Sequence, residues 1–427
     1  MNPKIISIEN ETTGLSNETI LQTLKQALNG ARYNKVLLIP PDGTRAYSGA
    51  GIITAMYYEM FTATGAKVDI LPALGTHAPM TREQQVAFFG NIPESCFLEH
   101  KWRDGVTAMG EVPGAFVNEV SEEFSQTPVP VEVSDYLLDK SYDRIISIGQ
   151  VVPHEVAGLA NFTKNIVVGC GGSGFINASH MIGAAYGTER IMGRADTPVR
   201  KLFDYAEEHY ISKLPLTYIL TVTHLEGDKT DILGLYIGNS GQEGKEAFRQ
   251  AALLSQKRNI TYVKQPIKTC VVWLDDHEFH STWLGNKAVY RTRMAMAEGG
   301  RLIILAPGVK TFGEDAENDR LIRKYGYTGR HRILGLIKTQ EDLKKNLSAA
   351  AHMIHGSPDG LFDVIYAAPH MGKEAMAGVG YDYMELSQAM ELYNPKNLQS
   401  GYNTLASGEE VYYIPNPALG LWHHIAN

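Results

Sequence analysis

The spacing of apolar residues in the first part of the chain predicts alternating helices and strands. After Ser16, apolar residues recur every three or four positions, which indicates one buried face of a helix. Residues 35–39 form a short apolar run stopped by two prolines, which predicts a buried strand. A helix over residues 48–61 and a strand over residues 66–71 follow. This strand–helix–strand order is typical of a parallel sheet covered on both faces.

The same alternation continues to the end of the chain. Further strands are predicted at residues 144–148, 165–168, 215–222, 269–274, 301–305 and 363–368, and further helices at residues 245–257, 287–297 and 315–325. A polar stretch with a proline at residues 264–266 separates two such sets. We therefore predict two α/β domains with mainly parallel sheets, an N-terminal domain over residues 1–264 and a C-terminal domain over residues 265–427.

Composition and charge exclude several classes of protein. The 427 residues are 44% hydrophobic and 20% charged, which is ordinary for a globular protein, and the net charge of -8 gives no sign of a nucleic-acid partner. No apolar run approaches the roughly 20 residues that span a bilayer, so no membrane partner is expected. The three cysteines are widely separated and suit a reducing compartment. With no signal-peptide pattern at the N-terminus, we expect a soluble cytoplasmic protein.

Two loops that directly follow predicted strands carry groups suited to binding anions and moving protons. Asp42 and Thr44 lie where the chain enters a helix, and side chains there accept hydrogen bonds from unpaired backbone N–H groups. Arg45 adds a planar guanidinium that suits a carboxylate or a phosphate. In the next loop His77 follows Gly75, and histidine is the usual general acid or base near neutral pH. A capped turn, a surface arginine and a solvated histidine would also account for these residues.

A denser stretch follows the predicted strand at residues 144–148. His154 lies just after the strand, and Lys164 lies among apolar residues, where an amine tends to lose its proton and become a nucleophile. The alternative is a lysine that reaches the surface from the start of a strand. Four glycines at positions 169–174 would let the backbone approach a phosphate, but they match neither a Walker loop nor GxGxxG. His180 is either a metal ligand or an ordinary helix histidine.

The order of these motifs resembles the lactate racemase family. Asp-x-Thr-Arg at residues 42–45 is followed about thirty residues on by Gly-Thr-His, and then by Pro-His at residues 153–154. A lysine follows that histidine by ten positions, and another histidine follows the lysine by sixteen. These motifs span residues 36–180, and the two-domain layout is consistent with the resemblance beyond them. The resemblance implies two α/β domains with the active site in the cleft between them.

The resemblance also implies a particular cofactor, the nickel-pincer nucleotide (pyridinium-3,5-bisthiocarboxylic acid mononucleotide). In that family it is joined covalently to a lysine, and its nickel is held by a ring carbon, two sulfurs and one histidine. By position, Lys164 corresponds to the tether and His180 to the nickel ligand. His77 and His154 correspond to the acid/base pair. The motif that contacts the cofactor and the substrate corresponds to Asp42, Thr44 and Arg45.

The chemistry of inversion fits this implied arrangement. The Cα proton beside a carboxylate is barely acidic, so a hydride route to a planar 2-keto acid avoids a difficult carbanion. Inversion then needs a proton-transfer group on each side of the carbon, which explains two histidines. Sulfur ligands and an imidazole suit nickel, and the cofactor carries the hard chemistry. We therefore expect a nickel-dependent racemase or epimerase of a small-molecule 2-hydroxy acid, with cofactor-synthesis proteins as partners.

The sequence departs from the lactate racemase pattern in two places. The tether lysine of lactate racemases lies in Gly-Gly-Arg-Lys-Ser, whereas this chain has Asn-Phe-Thr-Lys-Asn at residues 161–165. Where those enzymes place Gln and Lys after a Tyr, this chain has Val-Tyr-Arg-Thr-Arg at residues 289–293. The polar and aromatic stretch at residues 275–283 suits a longer, hydroxylated substrate such as a sugar acid. The predicted substrate contacts are Arg45, Tyr290, Arg291 and Arg293.

Two other classes of function remain open from the sequence. A zinc-dependent hydrolase would use His77, His154 and His180 as ligands, and would retain zinc and hydrolytic activity without any lysine adduct. A non-catalytic protein would bind anionic nucleotides or acids through Arg45 and the glycines at residues 169–174. In that case no turnover would be found, and His154→Ala would leave ligand affinity almost unchanged.

Overall fold

The structure, a computed structural model, describes residues 4–226, 229–418 and 420–425, and the chain forms two compact units. The first unit contains the residues up to Ser179 together with Gly193–Arg258. The second contains His180–Met192 and the residues from Asn259 onward. The segment His180–Met192 was placed in the N-terminal domain from the sequence, whereas in the structure it packs with the second unit.

The first unit contains both strands and helices along its whole length. Its strands are β1 (Ile6–Glu9), β2 (Lys35–Ile39), β3 (Lys67–Ile70), β4 (Val106–Val112), β5 (Val129–Ser134), β6 (Arg144–Gln150), β7 (Pro153–His154), β8 (Gly158–Leu159), β9 (Leu216–Glu226) and β10 (Lys229–Asn239). The helices up to the end of this unit are α1 (Asn17–Leu28), α2 (Ala50–Ala63), α3 (Arg82–Phe89), α4 (Gly114–Val120), α5 (Asp135–Leu138), α6 (Thr163–Val167), α7 (Ser173–Tyr186), α8 (Thr188–Ile191), α9 (Pro198–His209) and α10 (Gln242–Asn259). Of these, α8 and the end of α7 belong to the second unit.

The main sheet of the first unit has the strand order β1-β10-β9-β6-β2-β3. The four strands β9, β6, β2 and β3 are parallel, whereas β10, at one side, pairs antiparallel with both β9 and β1. Val36, Leu37, Leu38 and Ile39 of β2 are all fully buried. A continuous apolar run is what a strand covered on both faces requires, and it explains why β2 was found from its sequence.

The second unit has the same kind of architecture. Its strands are β11 (Ile260–Val263), β12 (Ile267–Trp273), β13 (Met296–Leu305), β14 (Phe362–Ala367), β15 (Asp382–Tyr383), β16 (Gly401–Thr404), β17 (Glu410–Ile414) and β18 (Leu421–His424). Its further helices are α11 (Thr282–Gly285), α12 (Lys287–Thr292), α13 (Ala316–Tyr325), α14 (Arg330–Ile337), α15 (Glu341–Lys345), α16 (Leu347–Gly356), α17 (Lys373–Gly378) and α18 (Leu386–Leu392). The main sheet has the order β15-β14-β13-β12-β17-β16 and is parallel except for β16.

Alternate residues of the central strands in this sheet serve two separate cores. In β12, Cys270 and Val272 pack in one apolar cluster, whereas Val271 packs in another. In β13, Leu302 lies in the first cluster and Ile303 in the second. Because successive side chains of a strand point to opposite faces, both faces of the sheet are covered. The prediction of an α/β fold with mainly parallel sheets is confirmed.

Two predicted elements were wrong in detail. Residues 165–168 were predicted as a strand, but the chain there ends the short helix α6. An apolar run of four residues fits a buried turn of helix as well as a strand, so periodicity alone does not separate the two. The helix predicted at residues 287–297 ends at Thr292, and β13 begins at Met296.

None of the helices in the described part of the chain combines the length and the apolar character that crossing a bilayer requires.

Candidate active site

The candidate site lies at the carboxyl ends of three neighbouring parallel strands of the first unit, β2, β3 and β6. In the register of the sheet, Leu38 lies beside Ile70 on one side and Ile146 on the other. An isolated bridge between Pro41 and Ala73 joins the first two loops just beyond the strands. The three loops that follow these strands therefore emerge at one edge, where ligands bind in sheets of this kind.

Asp42 organises the first loop and reaches the second. Its Oδ1 accepts hydrogen bonds from the backbone N–H of Thr44 at 3.1 Å and from the Thr44 hydroxyl at 2.5 Å, which caps the 3-10 turn Gly43–Ser48. Its Oδ2 lies 2.6 Å from Nδ1 of His77. The Asp42 side chain is buried, whereas the His77 side chain is 56% exposed. A buried carboxylate thus holds a histidine that remains open to a ligand.

The charge on Asp42 determines how His77 is oriented. Burial raises the pKa of Asp42, but the hydrogen bond and charge of His77, the Thr44 hydroxyl and the Arg45 charge outweigh it, so the pKa is lowered overall. The carboxylate is therefore ionised near neutral pH and accepts the Nδ1–H of His77. The other nitrogen, Nε2, then carries the lone pair of the neutral ring and is suited to act as a general base.

His154 is held in the opposite sense. It is buried, and its Nδ1 accepts from the backbone N–H groups of Val156 at 3.1 Å and Ala157 at 3.4 Å. The Glu155 carboxylate is 3.7 Å from the same nitrogen, which is beyond hydrogen-bond distance. Because backbone N–H groups only donate, Nδ1 is the acceptor and Nε2 carries the proton of the neutral ring. His154 is therefore arranged to donate a hydrogen bond from Nε2.

Lys164 is the second residue of α6, a helix that begins directly after two residues with positive φ. Asn161 has φ 68°, and Phe162 has φ 59° and ψ -136°. For a bulky aromatic residue this conformation is strained, and it persists only where the surrounding structure enforces it. Strain of this kind is concentrated at functional sites. The conformation turns the chain so that α6 starts abruptly beside the sheet edge.

The two neighbours of Lys164 anchor this short helix on both sides. The Thr163 hydroxyl donates to the buried carboxylate of Glu207 at 2.9 Å. The amide of Asn165 donates to the Ile39 carbonyl at 3.2 Å, at the end of β2, and to the Ser147 hydroxyl at 2.9 Å, in the middle of β6. Five residues would not hold a helical turn in water by themselves. These contacts fix α6, and with it the backbone of Lys164, to the sheet.

Asn165→Ala is expected to destabilise the first unit. The change removes both hydrogen bonds and leaves the buried acceptors of Ile39 and Ser147 without their donor, at a cost of about 1–3 kcal/mol. Urea denaturation of the two proteins measures the difference in free energy of unfolding. Asn91→Ala, at an exposed position, is the control and should change stability little. Equal stability of Asn165→Ala and the parent chain would contradict the anchoring role.

The amine of Lys164 is unusually ready to lose its proton. Burial lowers its pKa to about 8; the positive charges of Arg45 and Arg200 also lower it, while Glu155 and Asp42 raise it. At pH 7 about one amine in ten is then neutral, against on the order of one in two thousand for an ordinary lysine. A neutral amine is the nucleophilic form.

The same charges show which predicted residues lie together. Asp42 and Arg45 act on the Lys164 amine, Asp42 is bonded to His77, and Glu155, the neighbour of His154, also acts on the amine. The structure therefore gathers the predicted residues of the first unit at one edge of its sheet. They are Asp42, Thr44, Arg45, His77, His154 and Lys164.

The glycines at residues 169–174 have a packing role. A Cβ on Gly169 would meet the Asn165 carbonyl oxygen at 2.5 Å, and one on Gly171 would meet the Val167 carbonyl oxygen at 1.9 Å. On Gly172 it would meet Glu132 Oε2 at 2.1 Å. Only glycine lets these backbones approach so closely. The carboxylate over Gly172 also repels the phosphate that the sequence suggested for this loop.

The remaining predicted residues lie in the second unit. His180 is a partly buried residue of α7. It is the first residue of the segment His180–Met192, which belongs to the second unit. Tyr290 and Arg291 are buried in α12, and Arg291 Nη1 donates to the Gly420 carbonyl at 2.7 Å. Arg293 is also buried. The roles predicted for these four residues stay predictions.

All three nitrogens of the Arg293 guanidinium have partners within the second unit. Nε donates to Glu189, Nη1 to the Ser357 carbonyl at 2.5 Å and Nη2 to Asp359 at 2.8 Å. These bonds join α8, the 3-10 turn before β13 and the loop before β14. They use three of the five guanidinium N–H groups, so the structure gives Arg293 a clear role in holding the unit together.

Two charged residues near Lys164 were missed in the sequence, Arg200 and Glu207 on α9. Both are buried. The helix itself could have been found, because Thr197 caps it and Pro198 occupies its first turn. The spacing of seven residues, two helical turns, also puts Arg200 and Glu207 on one face. Nothing in the sequence shows that this face is buried.

Among the residues that the structure describes, no group of three or more His, Cys, Asp or Glu side chains is arranged to hold a metal ion. A zinc hydrolase site needs three protein ligands. A nickel ion bound mainly through a cofactor would need only one protein ligand.

Comparison with known proteins identifies the first part of the chain. Residues 12–191 match the family model described as the lactate racemase N-terminal domain. The matched range contains every predicted cofactor, nickel and acid/base residue. No curated protein sequence matches the chain.

Solved structures resemble the whole chain. A crystal structure of a protein from Thermotoga maritima is similar with a TM-score of 0.83 and 23% identity, covering 98% of this chain and 100% of that one. The lactate racemase apoprotein from Thermoanaerobacterium thermosaccharolyticum is similar with a TM-score of 0.69 and 16% identity, covering 96% of this chain and 93% of that one. At these identities the likeness shows the fold.

Proposed function

We propose that the chain is a racemase or epimerase of a 2-hydroxy acid, because residues 12–191 match the family model of the lactate racemase N-terminal domain. In this proposal a nickel-pincer nucleotide is attached to Lys164, and His180 is the nickel ligand. The chain would work in the cytoplasm and would depend on cofactor-synthesis proteins for loading.

The observation that carries the proposal is the state of Lys164. Its amine has a pKa of about 8, and it stands on a helix anchored on both sides and preceded by a strained turn. A lysine of purely structural role needs none of these features. They suit an amine that forms a covalent bond to a carboxyl-derived group and then holds that group at a fixed place.

The residues around Lys164 fit the implied cofactor. Arg45 is a cation beside the amine and suits the phosphate or carboxylate of a nucleotide or an acid. Asp42 and Thr44 belong to the same loop as Arg45, and the hydrogen bonds from Thr44 to the Asp42 carboxylate hold the backbone of that loop. His77 is exposed and oriented by Asp42, so it can reach a bound ligand. These groups would hold an anionic, lysine-linked ligand.

The bound cofactor would accept and return a hydride at the substrate carbon. The chain's own residues perform the proton transfers. His77 presents Nε2 as a base for the hydroxyl proton of one enantiomer, and Asp42 stabilises the imidazolium that forms. His154 would return a proton from Nε2 of its doubly protonated ring to the ketone oxygen on the other side, with Nδ1–H facing the Glu155 carboxylate 3.7 Å away, and this step would leave a neutral ring with a free Nε2. Arg45 would hold the substrate carboxylate through two of its guanidinium N–H groups.

We propose a substrate larger or more polar than lactate, such as a sugar acid. The stretch at residues 275–283 carries Asp276, His277 and His280 exposed in the second unit, and such groups form hydrogen bonds with hydroxyls. Tyr290 and Arg291 stay in the proposal as further substrate contacts. A role for Arg293 would have to use the guanidinium N–H groups that its three internal partners leave over.

The experiment is metal and intact-mass analysis of protein made in cells that build the cofactor. We expect nickel near one per chain and an adduct of several hundred daltons that peptide analysis places on Lys164. A deuterium-exchange screen of 2-hydroxy acids, including aldonic acids, then identifies the substrate. Unmodified Lys164 under these conditions would refute the proposal.

The two alternatives predict other outcomes in the same experiment. Retained zinc with hydrolytic activity and no adduct would favour the hydrolase. Ligand binding without turnover, unaffected by His154→Ala, would favour the anion-binding protein.

A further inference from the structure

Two buried charges on α9 face the segment that carries Lys164. Arg200 and Glu207 are 3% and 1% exposed. Burying a charge is costly unless hydrogen bonds and opposite charges compensate for it. Neither side chain takes part in the proton transfers described above. Their positions therefore require another explanation.

Glu207 gathers three donors around one carboxylate. It accepts from the Thr163 hydroxyl at 2.9 Å, the Tyr218 hydroxyl at 2.6 Å and the backbone N–H of Gly241 at 2.8 Å. Burial raises its pKa, and these hydrogen bonds act against that rise. The contact with Thr163 fixes the first residue of α6, one position before the tether.

Arg200 holds the strained turn before α6. Its Nη2 donates to the Leu159 carbonyl at 2.6 Å and its Nη1 to the Asn161 carbonyl at 3.5 Å. Its guanidinium stacks over Phe248 at 4.2 Å, and the Phe162 ring packs on the same Phe248 at 5.4 Å. Arg200 thus donates hydrogen bonds to backbone carbonyls of the turn, and it packs on Phe248, the ring against which Phe162 also packs.

Arg200 also acts on the Lys164 amine through its charge. The charged groups acting on the amine are Arg45, Glu155, Arg200 and Asp42. The two arginines disfavour a protonated amine, and the two carboxylates favour it. Of the four, only Arg200 is placed away from the three loops that carry the proposed site residues.

We propose that Arg200 and Glu207 are positioning residues for Lys164, Glu207 by fixing the start of α6 and Arg200 by holding the preceding turn and placing a positive charge beside the amine. The inference rests on the proposed function, in which Lys164 carries the cofactor. If Arg200 and Glu207 position Lys164, then attachment of the cofactor to Lys164 depends on α9, although α9 contacts neither the substrate nor the cofactor in this scheme.

The charge component is tested by competitive labelling of the full chain, made without cofactor, with acetic anhydride. Peptide mass analysis gives the rate at Lys164 as a function of pH, and we expect a midpoint near pH 8. Arg200→Met should raise that midpoint by about 1 pH unit, since a neighbouring positive charge is lost. Arg200→Lys keeps the charge and should restore most of the shift.

Controls separate this effect from general damage to the fold. Lys201→Met removes an exposed charge from the same helix and should leave the Lys164 midpoint unchanged. If Arg200→Met does not fold, Arg200→Gln retains a donor for the Leu159 carbonyl and carries the same expectation. An unchanged midpoint in the folded Arg200 variant would overturn the charge component.

The anchoring component is tested by hydrogen exchange in α6. Thr163→Val removes the hydroxyl that Glu207 accepts while keeping the shape, and Thr163→Ser retains the hydroxyl. We expect at least about tenfold faster exchange of the α6 amides in the valine variant, from loss of about 1.4 kcal/mol of local stability, and little change in the serine variant. Equal protection in both variants would overturn the role of Glu207.

These outcomes are independent of the proposed function itself. Cofactor found on Lys164 together with unchanged labelling in Arg200→Met would retain the function and refute the positioning role. A shifted midpoint together with unmodified Lys164 in loaded cells would establish how the amine is tuned and refute cofactor attachment.

Discussion

Lys164→Arg is expected to abolish cofactor attachment and to reduce racemase activity to the uncatalysed background. Arginine keeps the length and positive charge of lysine, so the surrounding charges of Arg45 and Glu155 meet a similar group. Its guanidinium stays protonated at every accessible pH and is not a nucleophile. The variant therefore removes the chemistry of the amine with little change in packing.

The measurement uses protein from cells that build the cofactor. Intact mass and nickel content report loading, and solvent deuterium entering the 2-hydroxy acid reports turnover. Lys201→Arg, an exposed change on α9, is the matched control and should load and turn over normally. A Lys164→Arg protein that still carries the adduct would place the attachment elsewhere and contradict the proposal.

The position of the site was predictable because of the topology of parallel sheets. Once β2, β3 and β6 were identified as strands, their following loops had to emerge at one edge if the strands were parallel neighbours. This placed Asp42, His77 and His154 in the same region before any distance was known. The individual contacts were beyond the sequence, because the 2.6 Å approach of His77 to Asp42 depends on side-chain geometry across 35 positions.

The surroundings of Lys164 were not predictable for a different reason. The apolar residues after it suggested a strand, whereas tertiary contacts of Thr163 and Asn165 stabilise a five-residue helix. Such contacts override weak local preferences. The left-handed angles of Phe162 had no sequence signal, since aromatic residues rarely adopt them. Burial of Arg200 likewise appears only once α9 is placed.

The glycine-rich segment shows how a plausible motif can have a packing cause. Close approach of Gly171 to the Val167 carbonyl and of Gly172 to Glu132 explains glycine there without any ligand. Phosphate-binding loops instead leave their backbone N–H groups open to the ligand. Spacing alone could not distinguish these two uses of glycine.

Replacing each of the two histidines is expected to slow the reaction of a different enantiomer. His77 donates Nδ1–H to Asp42 and presents a basic Nε2, whereas His154 accepts at Nδ1 and presents Nε2–H. In the proposed reaction each takes the hydroxyl proton of one enantiomer, and His154 does so from the form in which Nδ1 carries the proton beside Glu155 and Nε2 is free. His77→Gln should therefore stop oxidation of one enantiomer to the 2-keto acid, and His154→Gln should stop oxidation of the other.

Single-turnover formation of 2-keto acid from each pure enantiomer measures this. Each variant should lose about 10²–10⁴-fold in rate with its own enantiomer, the usual contribution of a general base, and much less with the other. Asp42→Asn should resemble His77→Gln, because an amide no longer favours the imidazolium. Equal losses for both enantiomers in both histidine variants would contradict the two-sided arrangement.

A separate test, made on the chain without cofactor, determines which ring nitrogen carries the proton in His77 and in His154. Nitrogen-15 NMR distinguishes the two neutral forms of histidine, and we expect the proton on Nδ1 in His77 and on Nε2 in His154. Asp42→Asn should weaken the preference at His77 and leave His154 unchanged, because backbone N–H groups of Val156 and Ala157 set the latter. The same form in both rings would remove the structural basis for opposite roles, since Nε2 would then be protonated in both rings or free in both.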